Sequence, residues 1–227
     1  MSNIVSFIQG PLIWISLSIF VVGLIVRTFN LLKLTRKKEM LRFEPDQAFL
    51  SRTPLTKKQR LFRYLVFQRG SSLESNICLV LISIVFHVCL IMTPLFIHGH
   101  NVLLDTSFGI SLISLPEKIS DIMTKFVLIS GFILFLRRLL LRRVRIISTI
   151  YDYLLLLLVL APFLTGFMAY RHLLDYNTLI ILHMFFGELI LIIIPFSKFF
   201  HMIFFFVSRF MVASEHSFGT PSRTWHF

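Results

Sequence analysis

The chain has 227 residues, 56% of them hydrophobic, and a mean hydropathy of +0.82. That composition excludes an ordinary soluble domain and points to several membrane crossings, with polar stretches too short for a sizeable soluble module. The formal net charge is +12, and where the basic residues fall matters more than their sum.

The first apolar stretch runs roughly from Ile4 to Val26. No Lys-rich segment precedes it, so it is expected to be a retained transmembrane helix and not a cleaved signal peptide. A long basic connection follows, with Arg27, Lys33, Arg36, Lys37, Lys38, Arg42, Arg52, Lys57, Lys58, Arg60, Arg63 and Arg69 against Glu39, Glu44, Asp46 and Glu74. The second span is Ile77 to Ile97. It holds both cysteines, Cys78 and Cys89, about 16 Å apart along a helix and so too far apart for a disulfide. No C-x-x-C or C-x-x-C-H occurs, which argues against iron–sulfur clusters and covalent c-type haem.

The third span is Ile122 to Leu141. Arg137, Arg138, Arg142, Arg143 and Arg145 follow with no acid among them. The fourth is Tyr151 to Tyr170. The fifth starts near Thr178 and is expected to continue past Phe206, longer than a bilayer needs. The expectation is therefore an all-α membrane protein, one domain over 1–227, with five transmembrane helices. The positive-inside rule places the N-terminus outside, both basic connections inside and the C-terminus inside. Such charge beside transmembrane helices fits anionic lipid or a cytoplasmic partner better than nucleic acid.

The histidines carry the chemistry. His183 and His201 stand eighteen residues apart in an apolar stretch. On a continuous helix that is about five turns and about 27 Å, so both rings would share one face, one near each side of a bilayer. His87 lies within the second span, and His98 and His100 lie at its end. The second and fifth spans are antiparallel. Depth therefore pairs His87 with His201 on the inner side, and His98 or His100 with His183 on the outer side. Two axial imidazoles per iron, one from each facing helix, are what a dihaem b-type cytochrome requires. Two sites this far apart with two ligands each do not build tetrahedral zinc. Ideal-helix phase favours His98, about 20° from the His87 face; the longer rise to His100 matches the fifth span better. Pro94 between them should kink or unwind the helix.

His183, Gly187, Pro195-Phe196-Ser197-Lys198 and His201 resemble the last helix of the respiratory nitrate reductase gamma subunit family, five-helix dihaem b proteins. Val144-Arg145, Asp152, and Gly70, Leu73, Ser75 and Asn76 are similar to that family as well. Phe86-His87, Pro94, His100-Asn101-Val102-Leu103, Thr165-Gly166-Phe167, Ala169-Tyr170 and Asp175-Tyr176 resemble a sub-branch. That branch comprises the cytochrome b subunits of transmembrane redox complexes in sulfate-reducing bacteria, of the high-molecular-weight cytochrome c type. The resemblance implies two non-covalent, bis-histidine b haems on His87, His100, His183 and His201, with His100 preferred to His98. It implies a bacterial inner-membrane protein whose partners are a periplasmic multihaem cytochrome c and a cytoplasmic iron–sulfur subunit of the heterodisulfide-reductase type. It also leaves room for menaquinone and puts nitrate in doubt as the terminal acceptor.

Other polar residues are candidates for supporting roles. Arg171, with His172, and Lys198, with Ser197, are placed to meet haem propionates at the membrane edges. Glu188, inside the fifth span, is a candidate proton carrier or hydrogen-bond partner of a ligand. Lys125 is a candidate quinone contact, or else snorkels. His216 and His226 are expected to be solvated, and Phe204 to Phe206 to pack against lipid or a partner. The expected function is electron relay, with no substrate chemistry beyond quinone. The competing expectation is a haem-free anchor or small transporter whose histidines only satisfy interhelical hydrogen bonds.

Overall fold

The computed structural model describes residues 6–8, 10–36 and 77–207. Among these the regular structure is entirely helical, and five helices are long and apolar enough to cross a membrane. Helix α1 is Pro11–Arg36, α2 Ile77–Phe96, α3 His98–Phe108, α4 Glu117–Leu140, α5 Arg142–Arg145, α6 Ile150–Tyr170 and α7 Tyr176–Ile193. Two 3-10 turns, Ile194–Phe196 and Lys198–Phe200, follow α7. The long connection with Lys57, Lys58, Arg60, Gly70, Leu73, Ser75 and Asn76, and the tail with His216 and His226, lie outside the described residues.

The chain falls into two compact units, Met1–Ile15 with Ser72–Ile190, and Ser16–Ser71 with Leu191–Phe227. In the first, α4 packs against both α2 and α6. The α4 face carries Ser120, Thr124, Val127, Ser130 and Gly131, spaced three and four apart, all buried. These small residues let helices approach in a medium where apolar burial drives little association. A Cβ on Gly131 would run into the side chain of Leu160 on α6. Hydroxyls on these faces fold back on their own helices: Thr124 donates to Ser120 O at 2.8 Å and Thr165 to Ala161 O at 2.9 Å.

Helix ends are set by local chemistry. The backbone N–H and hydroxyl of Thr149 both donate to the Asp152 carboxylate, at 2.9 and 3.0 Å, and this opens α6. Asp175 caps α7, accepting from the Thr178 N–H at 2.8 Å and its hydroxyl at 2.7 Å. Those two bonds hold the Asp175 carboxyl below the usual aspartate range. The stabilisation from this cap is therefore fully present above the ordinary aspartate value and is lost only as pH falls through the lowered one. Gly109 closes α3 in the left-handed region, φ 66°, and donates to Asp105 O at 2.8 Å.

Two expected spans end differently from their sequence limits. The second continues through Pro94 as helix and stops at Phe96; Ile97 is extended, φ −71° and ψ 135°, and α3 starts anew at His98. The fifth is not one continuous helix, and residues beyond Val207 lie outside the described ones. α7 stops at Ile193, and Pro195, lacking an N–H, sits in the first 3-10 turn. Helix resumes at His201 and is described to Val207.

In the second unit, α1 lies close against those turns. A Cβ on Gly23 would stand 2.8 Å from Cβ and Cγ of Pro195. Ser197 caps the second turn, its hydroxyl accepting from the Phe199 N–H at 3.1 Å.

Candidate functional site

Four histidines share one detail. Nδ1 of His87 lies 2.7 Å from Ser83 O, that of His100 2.8 Å from Pro94 O, that of His183 2.8 Å from Pro162 O and that of His201 2.8 Å from Lys198 O. A carbonyl can only accept, so in the neutral ring Nδ1 carries the proton and Nε2 carries the lone pair. This is the tautomer of a metal-binding imidazole whose outer nitrogen is fixed by a backbone carbonyl.

His100 and His183 come together. Their ring centroids are 5.8 Å apart with planes inclined at 35°. Two metal–nitrogen bonds of about 2 Å each, plus the ring half-widths, span roughly 6 Å. The helices themselves stand apart: α7 is not among the closely packed helices of this unit, where α4 holds α2 and α6. The two rings thus meet where their helices do not pack closely, and a ring separation of 5.8 Å is compatible with two imidazoles on one iron.

Each anchor comes from an irregularity. The break at Ile97 turns α3 away from the line of α2, so His100 reaches back six residues to Pro94 O. Pro162 stands inside α6, and its carbonyl meets the His183 ring. Gly166, one turn on, has no side chain for a reason: a Cβ there would lie 3.0 Å from both Cε1 and Nδ1 of His183.

Of the two candidates at the end of the second span, His98 is exposed and His100 half-buried. The phase count from His87 does not apply to either, because both belong to α3 and not to α2. Nor does the five-turn register carry from His183 to His201, since helix is interrupted over 194–200. His87 belongs to the first unit and His201 to the second. His172 adopts φ 51°, with its ring 6.0 Å from that of Tyr176. Among the described residues, no three of His, Cys, Asp and Glu come together.

The charged residues take partners within the chain. Arg171 Nη2 bonds Asp121 Oδ2 at 2.8 Å, and Lys125 Nζ reaches the same oxygen at 2.7 Å. The cations expected to meet a propionate and a quinone thus converge on one carboxylate, fastening the end of α6 to the start of α4. The other oxygen, Asp121 Oδ1, is buried and meets no donor among the described residues. Lys198 is exposed, and its carbonyl is what serves His201. Glu188 is 5% exposed with neither oxygen partnered among the described residues, an arrangement that is costly in a membrane.

Gly166, Pro94 and Pro162 act on the imidazoles in ways the residue pattern did not announce. The role of Asp121 at the α4–α6 edge was not signalled by the sequence pattern either.

No family model matches the chain, and no solved structure matches it. A protein of Nitratidesulfovibrio vulgaris (strain Hildenborough) is 34% identical over 213 residues, covering 93% of this chain and 93% of that one.

Proposed function

The chain belongs to the same family as that Nitratidesulfovibrio vulgaris protein, and we propose that it is a membrane dihaem cytochrome b subunit. It relays electrons across a bacterial inner membrane, between a periplasmic multihaem cytochrome c or a menaquinone pool and a cytoplasmic iron–sulfur subunit of the heterodisulfide-reductase type. The observation that carries the reading is the His100–His183 pair: two rings 5.8 Å apart, each with Nδ1 committed to a carbonyl. His87 and His201, each in its own unit, are anchored in the same tautomer, which suits each to be an axial ligand. Likeness of the Pro195 to His201 motif to nitrate reductase gamma subunits supports the reading further.

When bound, each haem supplies a one-electron couple. What the chain supplies is orientation and exclusion of water. The carbonyls of Pro94 and Pro162 fix the ring planes of His100 and His183 and raise the basicity of their coordinating nitrogens. Gly166 keeps the space that the His183 ring fills. The apolar walls of α2 and α7 keep the site dry. Asp121 pairs with both Arg171 and Lys125 at the α4–α6 edge, leaving one net positive charge there. The five apolar helices are compatible with a multi-pass protein in contact with lipid.

The topology that goes with this function has the N-terminus outside and the C-terminus inside, which puts the His100–His183 pair on the periplasmic side. Reporter fusions in the connection after Arg36, in the Arg142–Arg145 turn and after Val207 should all read cytoplasmic. A periplasmic reading from the first two would reverse the two sides. The function itself is tested by haem extraction from the purified subunit. Two haems b per chain are expected, and a colourless, folded chain would favour a haem-free anchor or transporter.

A further inference from the structure

Arg27 lies inside the first candidate span, six residues before its end at Lys33, about 9 Å by helical rise. Arginine there is costly unless its head reaches water or a partner. Snorkelling alone would carry the guanidinium away from the protein. Instead Nη1 donates to Pro195 O at 2.8 Å, and Cζ sits 5.0 Å from the centre of the Phe200 ring.

Both contacts fall on the short irregular segment that delivers His201. Pro195 is in the first 3-10 turn and Phe200 closes the second; His201 follows directly, its Nδ1 held by Lys198 O from the same turn. Pro195, Ser197 and Phe200 are buried, so this segment is packed although it is not α-helical. Gly23, one helical turn before Arg27, brings α1 to Pro195 so closely that no side chain fits between them. α1 thus carries a two-point clasp: a glycine for approach and an arginine that bonds the Pro195 carbonyl and covers Phe200.

We propose that Arg27 is a positioning residue for His201. It fastens the first span to the turns that carry this histidine. This rests on the dihaem reading above, in which His201 is an axial ligand whose orientation these turns set.

The experiment compares Arg27→Gln and Arg27→Lys in the full-length, detergent-purified chain, with His183→Ala added so that the inner haem is the one titrated. Arg27→Gln should shift the low-spin EPR signal and the midpoint potential of that haem, by loosening the turns that orient His201. Arg27→Lys, which keeps a cationic donor for Pro195 O, should restore most of both. Amide exchange at Phe199 and Phe200 provides a haem-independent reading and should quicken in Arg27→Gln. Unchanged potential, EPR signal and exchange in Arg27→Gln would overturn the proposal. A wild-type chain without haem would end the dihaem reading, while exchange at Phe199 and Phe200 would still decide whether Arg27 holds these turns. If Arg27→Gln does not accumulate, Gly23→Ala serves in its place: its Cβ must push α1 from Pro195 and quicken the same amides. No change there counts against the clasp.

Discussion

His183→Ala is expected to bring the chain from two haems b to one, with His100→Ala losing the same haem and His98→Ala losing none. The two rings face one another at 5.8 Å, and each is held by a carbonyl that fixes its tautomer. Deleting either removes one of two axial bonds and leaves the partner imidazole without its counterpart. His98 is exposed at the start of α3, and its ring is not the one that meets His183. Pyridine haemochrome quantitation on the three variants reads this directly. Two haems in His183→Ala would remove that ring from the ligand set. One haem in His98→Ala, with two in His100→Ala, would mean that the ring geometry described here is not the liganded one.

Gly166→Val should reproduce the His183→Ala phenotype without touching a ligand. A Cβ at residue 166 would sit 3.0 Å from Cε1 and Nδ1 of His183, and valine adds two more carbons to that collision. Overpacking of this kind typically costs about 1–3 kcal/mol. Here the ring can yield only by leaving Pro162 O, which also releases its tautomer. The expected product is an inserted, helical chain that loses most of the haem held by His183 and keeps the other. Gly166→Ala should give an intermediate occupancy with an altered EPR signal. The check is haem content together with far-UV circular dichroism. Full occupancy in Gly166→Val would show that the ring has room the structure does not give it.

Much of the helical plan is legible in the residues because lipid imposes one simple demand, an apolar run of sufficient length. The fourth span lies within one residue of α6. The ends are less legible. α1 runs ten residues beyond Val26 and α4 starts five before Ile122, because amphipathic turns extend helices past their apolar windows. Pro94 signalled a break, but the break came three residues later, where Ile97 becomes extended and α3 turns away. Pro195 ended α7 in 3-10 turns, so a register counted on an ideal helix could not link His183 to His201. Depth matching between antiparallel spans did bring His183 to the end of the second span, where the ring it meets is that of His100. The supports around the rings were hidden for a plain reason. They are backbone carbonyls of Ser83, Pro94, Pro162 and Lys198, and a missing side chain at Gly166, none of which leaves a periodic mark in a sequence. Arg171 shows the converse: its charge was visible, but its partner Asp121, fifty residues away, was not.

The most direct measurement is a dithionite-reduced minus oxidised spectrum of the purified chain, with extracted haem counted against protein. The account predicts a Soret band and visible bands of b type, haem that is released by acidic acetone, and two haems per chain. A well-folded chain that shows no Soret absorption, or that holds its haem covalently, would contradict it.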